Sequence, residues 1–88
     1  MEVIVTTQFE KDVKKGLSKS LQIKLANTIE HLQRVKSFHE ISHTKKLKGY
    51  KNAYRIKLNE YRIGFLVEEN VIKLSRVMHR KEIYRYFP

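Results

Sequence analysis

Arg55, Lys57 and Arg62 lie in the stretch Tyr54-Arg55-Ile56-Lys57-Leu58-Asn59-Glu60-Tyr61-Arg62-Ile63-Gly64-Phe65. If Asn59-Glu60 is a two-residue hairpin loop, Leu58 faces Tyr61, Lys57 faces Arg62, Ile56 faces Ile63, Arg55 faces Gly64 and Tyr54 faces Phe65. One side of the hairpin is then apolar or aromatic, and the other gathers Arg55, Lys57 and Arg62. Directly opposed like charges destabilise a strand pair, by something under ~1 kcal/mol when exposed. A sheet face that concentrates cations against this cost is suited to a polyanion.

More basic residues surround the hairpin. Lys45, Lys46 and Lys48 precede it, and Arg76, Arg80 and Arg85 follow. Guanidinium groups match phosphate oxygens in pairs, which makes the arginines candidate phosphate clamps. Three residues are candidates for moving a proton. Lys57 faces Arg62, and a neighbouring like charge favours the neutral amine of a base. Tyr84 offers a phenol, and His79 an imidazole suited to acid–base work near neutrality. Tyr84 and Tyr86 can also stack on unpaired bases, at ~1–3 kcal/mol per base. Each residue alone has a plainer reading: exposed lysine and arginine protect sheet edges, and tyrosines pack. Convergence on one face is what favours nucleic acid.

His39-Glu40-Ile41-Ser42-His43 matches H-E-x-x-H, which on a long helix pairs two imidazoles on zinc with a glutamate base. Here it falls in the least periodic part of the chain, runs into Thr44-Lys45-Lys46, and has only His79 as a downstream third ligand. The expectation is that it is not a metal site, and that no cofactor is needed.

These residues have to be positioned by a small fold. The 88 residues suffice for one domain, residues 1–88. Apolar residues at 41% and charged residues at 32% give a globular composition rather than a disordered one. The chain has no cysteine, which excludes disulfides, thiolate metal sites and a cysteine nucleophile, and a reducing cytoplasm fits. No apolar run approaches the ~18 residues that span a bilayer, and the first 20 residues lack the apolar stretch of a secretory signal. With a net charge of +10, nucleic acid or an acidic protein is the expected partner, and membrane binding ranks last.

Residues 1–5 alternate as a short strand. Thr7-Gln8-Phe9-Glu10 reads as a capping box for a helix to about Leu17, with Phe9, Val13 and Leu17 on one face. Ser18 or Ser20 caps a second helix to about Lys36, with Leu21, Leu25, Ile29 and Leu32 as its stripe. Residues 37–48 show no period and read as loop. The hairpin covers residues 54–67, Glu68-Glu69-Asn70 turns again, and residues 71–78 form a third strand whose alternation fails at Arg76-Val77, where a bulge or strand end is expected. Residues 79–88 read as one helical turn or an extended tail. The order predicts an α+β fold: an N-terminal strand, a helical hairpin, and a three-stranded antiparallel meander, with the helices on the sheet face bearing Tyr54, Ile56, Ile63 and Phe65.

Taken together, Leu47-Lys48-Gly49, Tyr54-Arg55-Ile56-Lys57-Leu58, Tyr61-Arg62-Ile63, Val77-Met78-His79-Arg80 and Glu82-Ile83-Tyr84-Arg85 resemble the RelE/ParE toxin superfamily of toxin–antitoxin systems. The likeness covers nearly the whole chain. It implies a toxin neutralised by a cognate acidic antitoxin. In the RelE branch the toxin enters the ribosomal A site and cuts mRNA; in the ParE branch it inhibits DNA gyrase, and the catalytic basic residues are usually missing. Arg55 and Lys57 stand where the RelE branch has two strand lysines, Arg62 at the hairpin arginine, Arg80 at the arginine after the last strand and Tyr84 at the C-terminal tyrosine. The resemblance therefore implies a metal-independent mRNA endonuclease with Lys57, Arg62, Arg80 and Tyr84 in the catalytic set, to which the chemistry of the residues adds His79 as the remaining candidate for general acid. Lys45, Lys46, Lys48, Arg55, Arg76 and Arg85 would bind RNA. Because Arg55 stays protonated at neutral pH, proton transfer falls to the others. A gyrase-directed toxin and a non-catalytic basic RNA-binding module are the alternatives.

Overall fold

Parallel pairing of the first strand with the last is what closes this fold. The computed structural model describes residues 1–41 and 44–88. Strand β1 (Glu2–Val5) leads to helices α1 (Thr7–Gly16) and α2 (Lys19–Arg34). A 3₁₀ turn (Phe38–Glu40) precedes strands β2 (Thr44–Lys46), β3 (Ala53–Leu58), β4 (Tyr61–Glu68) and β5 (Val71–His79), and a short helix α3 (Ile83–Tyr86) follows. The sheet order is β1-β5-β4-β3-β2, antiparallel except for β1 beside β5. The α+β architecture expected from the sequence is the one observed.

The β3–β4 pairing follows the expected register, from Leu58 opposite Tyr61 to Tyr54 opposite Phe65. A two-residue loop leaves no slack for slippage, so the loop fixes which residues share a face. Asn59 takes the left-handed conformation there (φ 55°), and Glu69 and Asn70 do so in the next turn. Apolar residues of both helices pack on one sheet face. Phe9, Leu25, Leu32, Ile56, Ile63, Phe65, Ile72 and Leu74 form one buried cluster there.

Four local features differ from the sequence-based expectation. The cap of α1 is Thr6, whose hydroxyl accepts from Phe9 N and donates to Leu74 O (2.8 Å). Thr6 N also donates to Leu74 O, so the backbone stays extended through Thr6 and the helix starts one residue earlier than a cap at Thr7 would allow. Helix α2 is capped by Ser18 and ends at Arg34, with Val35 as its C-cap. Strand β2 lies within the stretch expected to be loop. Its three residues take a strand conformation through pairing with β3, which local periodicity does not reveal. The bulge is present, with Ser75 as the extra residue: Phe65 pairs with Leu74 while Gly64 pairs with Arg76. Beyond it β5 continues to His79 with its parity reversed.

Among the described residues no helix is long and apolar enough to cross a membrane. The described part of the H-E-x-x-H motif, His39 to Ile41, does not lie on an α-helix. Glu40 closes the 3₁₀ turn, its carboxylate accepting from Lys36 N (2.9 Å) and Ser37 N (3.0 Å), and His43 lies outside the described residues.

Candidate active site

On the sheet face away from α1 and α2, Lys45 of β2 stands beside Arg55 of β3, and Lys57 stands opposite Arg62 of β4. Among the described residues these four line a cleft of about 250 Å³. Arg62 relieves its opposition to Lys57 by curling over the turn, where Nη1 donates to Asn59 O (2.9 Å) and Tyr61 O (2.8 Å). Arg55 is half-buried, and its Nε is buried without an acceptor. A buried guanidinium donor lacking a partner is poised for an anionic acceptor.

The C-terminal segment crosses to this face. Ile83 and Phe87 are buried against Ala53, with Leu47, Leu66 and Met78 around them, in a second small core. That packing leaves the intervening Tyr84 exposed, with the Arg55 guanidinium 4.6 Å from its ring centroid. Hydrogen bonding by Arg55, then the charge of Arg55, lowers the Tyr84 pKa below that of a free tyrosine, and the charges of Lys45 and Arg62 act in the same direction. The phenol thus lies in the field of three of the four cleft cations.

The remaining candidates are placed elsewhere. Arg80 follows β5 where the chain begins to cross, and pairs with Glu60 of the β3–β4 turn at 2.9 Å. Both partners are largely exposed, so the pair contributes little to stability and its guanidinium can exchange partners. Arg76 stacks on Tyr86 (5.3 Å) and is gripped by Asp12 of α1, through Nε (2.8 Å) and Nη2 (3.0 Å). Val77 N donates to the same carboxylate, so Asp12 closes the sheet edge that β1 leaves uncovered. Its hydrogen bonds and charge raise the Arg76 pKa, and the guanidinium serves as a structural tie.

His79 lies across the sheet from the cation cleft. It pairs with Tyr61, and the two rings meet edge-on at 5.7 Å beside Asp12, Lys15 and Leu17. Its Nδ1 accepts from Lys81 N (3.2 Å). The Ser75 bulge explains this placement, because it turns Val77 and His79 toward the helices and Met78 away. Lys46, opposite Tyr54, also faces the helix side and lines a cleft with His39, Ile41 and Thr44. Lys48 sits in the turn with Gly49 (φ 86°), and Arg85 is exposed on α3. Sequence reasoning missed Ile83 and Phe87 as the anchors of Tyr84. Their spacing of four, in a tail otherwise polar or tyrosine-rich, was the available signal.

A family profile described as the ParE toxin of type II toxin–antitoxin system, parDE, matches residues 3–84. Toxin RelE3 of Methanocaldococcus jannaschii is 39% identical over 89 residues, covering all of both chains. The toxin in the RelB–RelE antitoxin–toxin complex from Methanococcus jannaschii superposes with a TM-score of 0.82 at 38% identity, covering 97% of this chain and 99% of that one. The Staphylococcus aureus YoeB dimer, at 21% identity and a TM-score of 0.71, covers 91% of this chain and 97% of that one and shares the fold. On the full-length match to a RelE toxin and the profile match over nearly the whole domain, this chain belongs to the RelE/ParE family and is a type II toxin–antitoxin toxin of the RelE kind.

Proposed function

We propose that the protein is an endoribonuclease that cuts mRNA in the ribosomal A site, by attack of a 2′-hydroxyl on the adjacent phosphorus. The observation that carries this reading is the Tyr84 phenol held over Arg55 beside the cleft that Lys45, Arg55, Lys57 and Arg62 line. In the proposed reaction the Tyr84 phenolate takes the 2′-hydroxyl proton. The 2′-oxygen bonds to phosphorus, and the bond to the 5′-oxygen breaks. A 2′,3′-cyclic phosphate and a 5′-hydroxyl result, with the Lys57 ammonium giving its proton to the leaving oxygen. Arg55, Arg62 and Arg80 balance the charge of the phosphorane with fixed donors, the arrangement that lowers such a barrier most. Arg80 joins by exchanging Glu60 for phosphate. The Arg55 guanidinium beside the ring favours the phenolate form of Tyr84, which supports it as the base. His79, on the other face, has no part in these steps.

Lys45 extends the cleft along an RNA backbone, and Lys46, Lys48 and Arg85 add charge around it. The expected protein partner is an acidic antitoxin; the Methanococcus jannaschii relative is seen with RelB. The expected place of action is the cytoplasm, where translating ribosomes are.

Brief induction followed by primer extension on a translated mRNA tests the proposal. Codon-phased cuts are expected, and Tyr84→Phe should reduce them ~10²–10⁴-fold, the usual contribution of a general base. Arg80→Ala should abolish growth arrest while leaving the thermal melt unchanged. The profile match to ParE toxins favours one second reading, gyrase inhibition. DNA damage without mRNA cuts would support it. Salt-sensitive RNA binding with neither effect would leave a non-catalytic module.

A further inference from the structure

Tyr84 owes its position to the buried residues that flank it in the tail. Helix α3 is a single turn, too short to hold a conformation by itself. Its two anchors, Ile83 and Phe87, are tied by Phe87 N donating to Ile83 O (2.9 Å), so where the Phe87 ring sits determines how the turn lies. That ring rests on Gly64 of β4. A β-carbon built at Gly64 falls 2.6 Å from Cγ and Cδ2 of Phe87 and 2.9 Å from Cε2. Gly64 is not in the left-handed region, so its backbone would accept any residue. Glycine weakens a strand interior, and here the three atoms nearest an added β-carbon all belong to the ring.

Gly64 also occupies the middle of a cross-strand row. Arg55 pairs with it from β3, and Arg76 pairs with it from β5. The aromatic residues of the tail follow the same row: Tyr84 on Arg55, Phe87 on Gly64, Tyr86 on Arg76. Two cations flank one bare position, and the ring seated there sets the two tyrosines on either side.

We propose that Gly64 is a positioning residue: the bare strand at this point seats the Phe87 ring, and that seat holds α3 in the one placement that lays the Tyr84 phenol over Arg55. The seat acts on the electrostatic environment of Tyr84 whatever reaction follows. Its effect on RNA cleavage rests on the role proposed above for Tyr84.

The test reads Tyr84 directly. Carbon-13 at the tyrosine ζ position is followed by NMR through a pH titration of the whole protein, with Tyr84→Phe assigning the resonance. In the parent protein Tyr84 should titrate below a free tyrosine. Gly64→Ala should shift that titration upward, toward the range of a free tyrosine, because the displaced ring carries the phenol away from Arg55. Phe87→Ala should do the same. Gly64→Ala added to Phe87→Ala should shift it no further, since the added methyl then meets no ring. A Tyr84 titration in folded Gly64→Ala equal to that of the parent overturns the proposal. Should Gly64→Ala not fold, an unshifted Tyr84 in Phe87→Ala overturns it equally. Primer extension with Tyr84→Phe decides the catalytic reading separately: cuts that survive it remove the base role and leave the titration result standing.

Discussion

Replacing Asp12 by alanine should cost this domain a large part of its stability. The Asp12 side chain is 5% exposed and that of Arg76 is 20% exposed, so water reaches the guanidinium only in part. The substitution removes two arginine hydrogen bonds and the acceptor for Val77 N. Breaking a fully buried ion pair costs about 3–5 kcal/mol, and partial access to water brings the Arg76 share down. An unpartnered buried amide costs about 1–3 kcal/mol. A loss of about 3 kcal/mol is therefore expected, against a total of roughly 4–13 kcal/mol for a domain of this size. At about 4–8 °C per kcal/mol, the melting temperature should fall by ~12–24 °C. Arg76→Met should cost less, because Asp12 keeps Val77 N and Gln8 as donors. The Arg76 pKa is raised by the pair, so the arginine's contribution is complete below its ordinary titration range and disappears only in strong alkali. Urea unfolding of both single variants and the double variant measures the coupling. Asp12→Ala within ~1 kcal/mol of the parent protein, at unchanged m, would show that the pair does not tie α1 to β5.

Three further outcomes follow from the site and the caps. If Tyr84 is the base, single-turnover cleavage should rise with pH and level off below the pH at which a free tyrosine ionises; Arg55→Met should move that limb upward, and an unmoved limb would exclude Arg55 as the cause. Lys57→Glu should stabilise the hairpin by a few tenths of a kcal/mol by pairing with Arg62. The same change should weaken RNA binding and flatten its log–log salt slope by about 1.4, two charges at ~0.7 each; undiminished binding would remove Lys57 from the interface. Thr6→Ala should cost ~1–2 kcal/mol by urea unfolding and Thr7→Ala under ~0.5 kcal/mol, and equal costs would contradict the cap at Thr6.

The hairpin and its basic face were legible because a two-residue turn transmits register to every cross-strand pair without help from elsewhere. Both helices were legible from four-residue spacing. What escaped was set by contacts distant in sequence. Thr6 caps α1 because β5 holds it extended, which the local pattern around Thr7 cannot reveal. Strand β2 has three residues and no period of its own. The alternation break was visible, but placing the extra residue at Ser75 needs the partner strand, and that single position decides that His79 turns away from the cations. Arg76 reads as one more surface cation until Asp12, from the other half of the chain, is brought against it.

The sheet's first strand is synthesised first and pairs with the strand synthesised last. Glu2 has to wait for Val71, and Val5 for Leu74, before β1 has a neighbour. The meander can pair locally at once, whereas this distant closure has to overcome the entropy of a loop of nearly the whole chain. Weakening β1 should therefore slow folding of the domain more than it alters the cation cleft on the far side of the sheet.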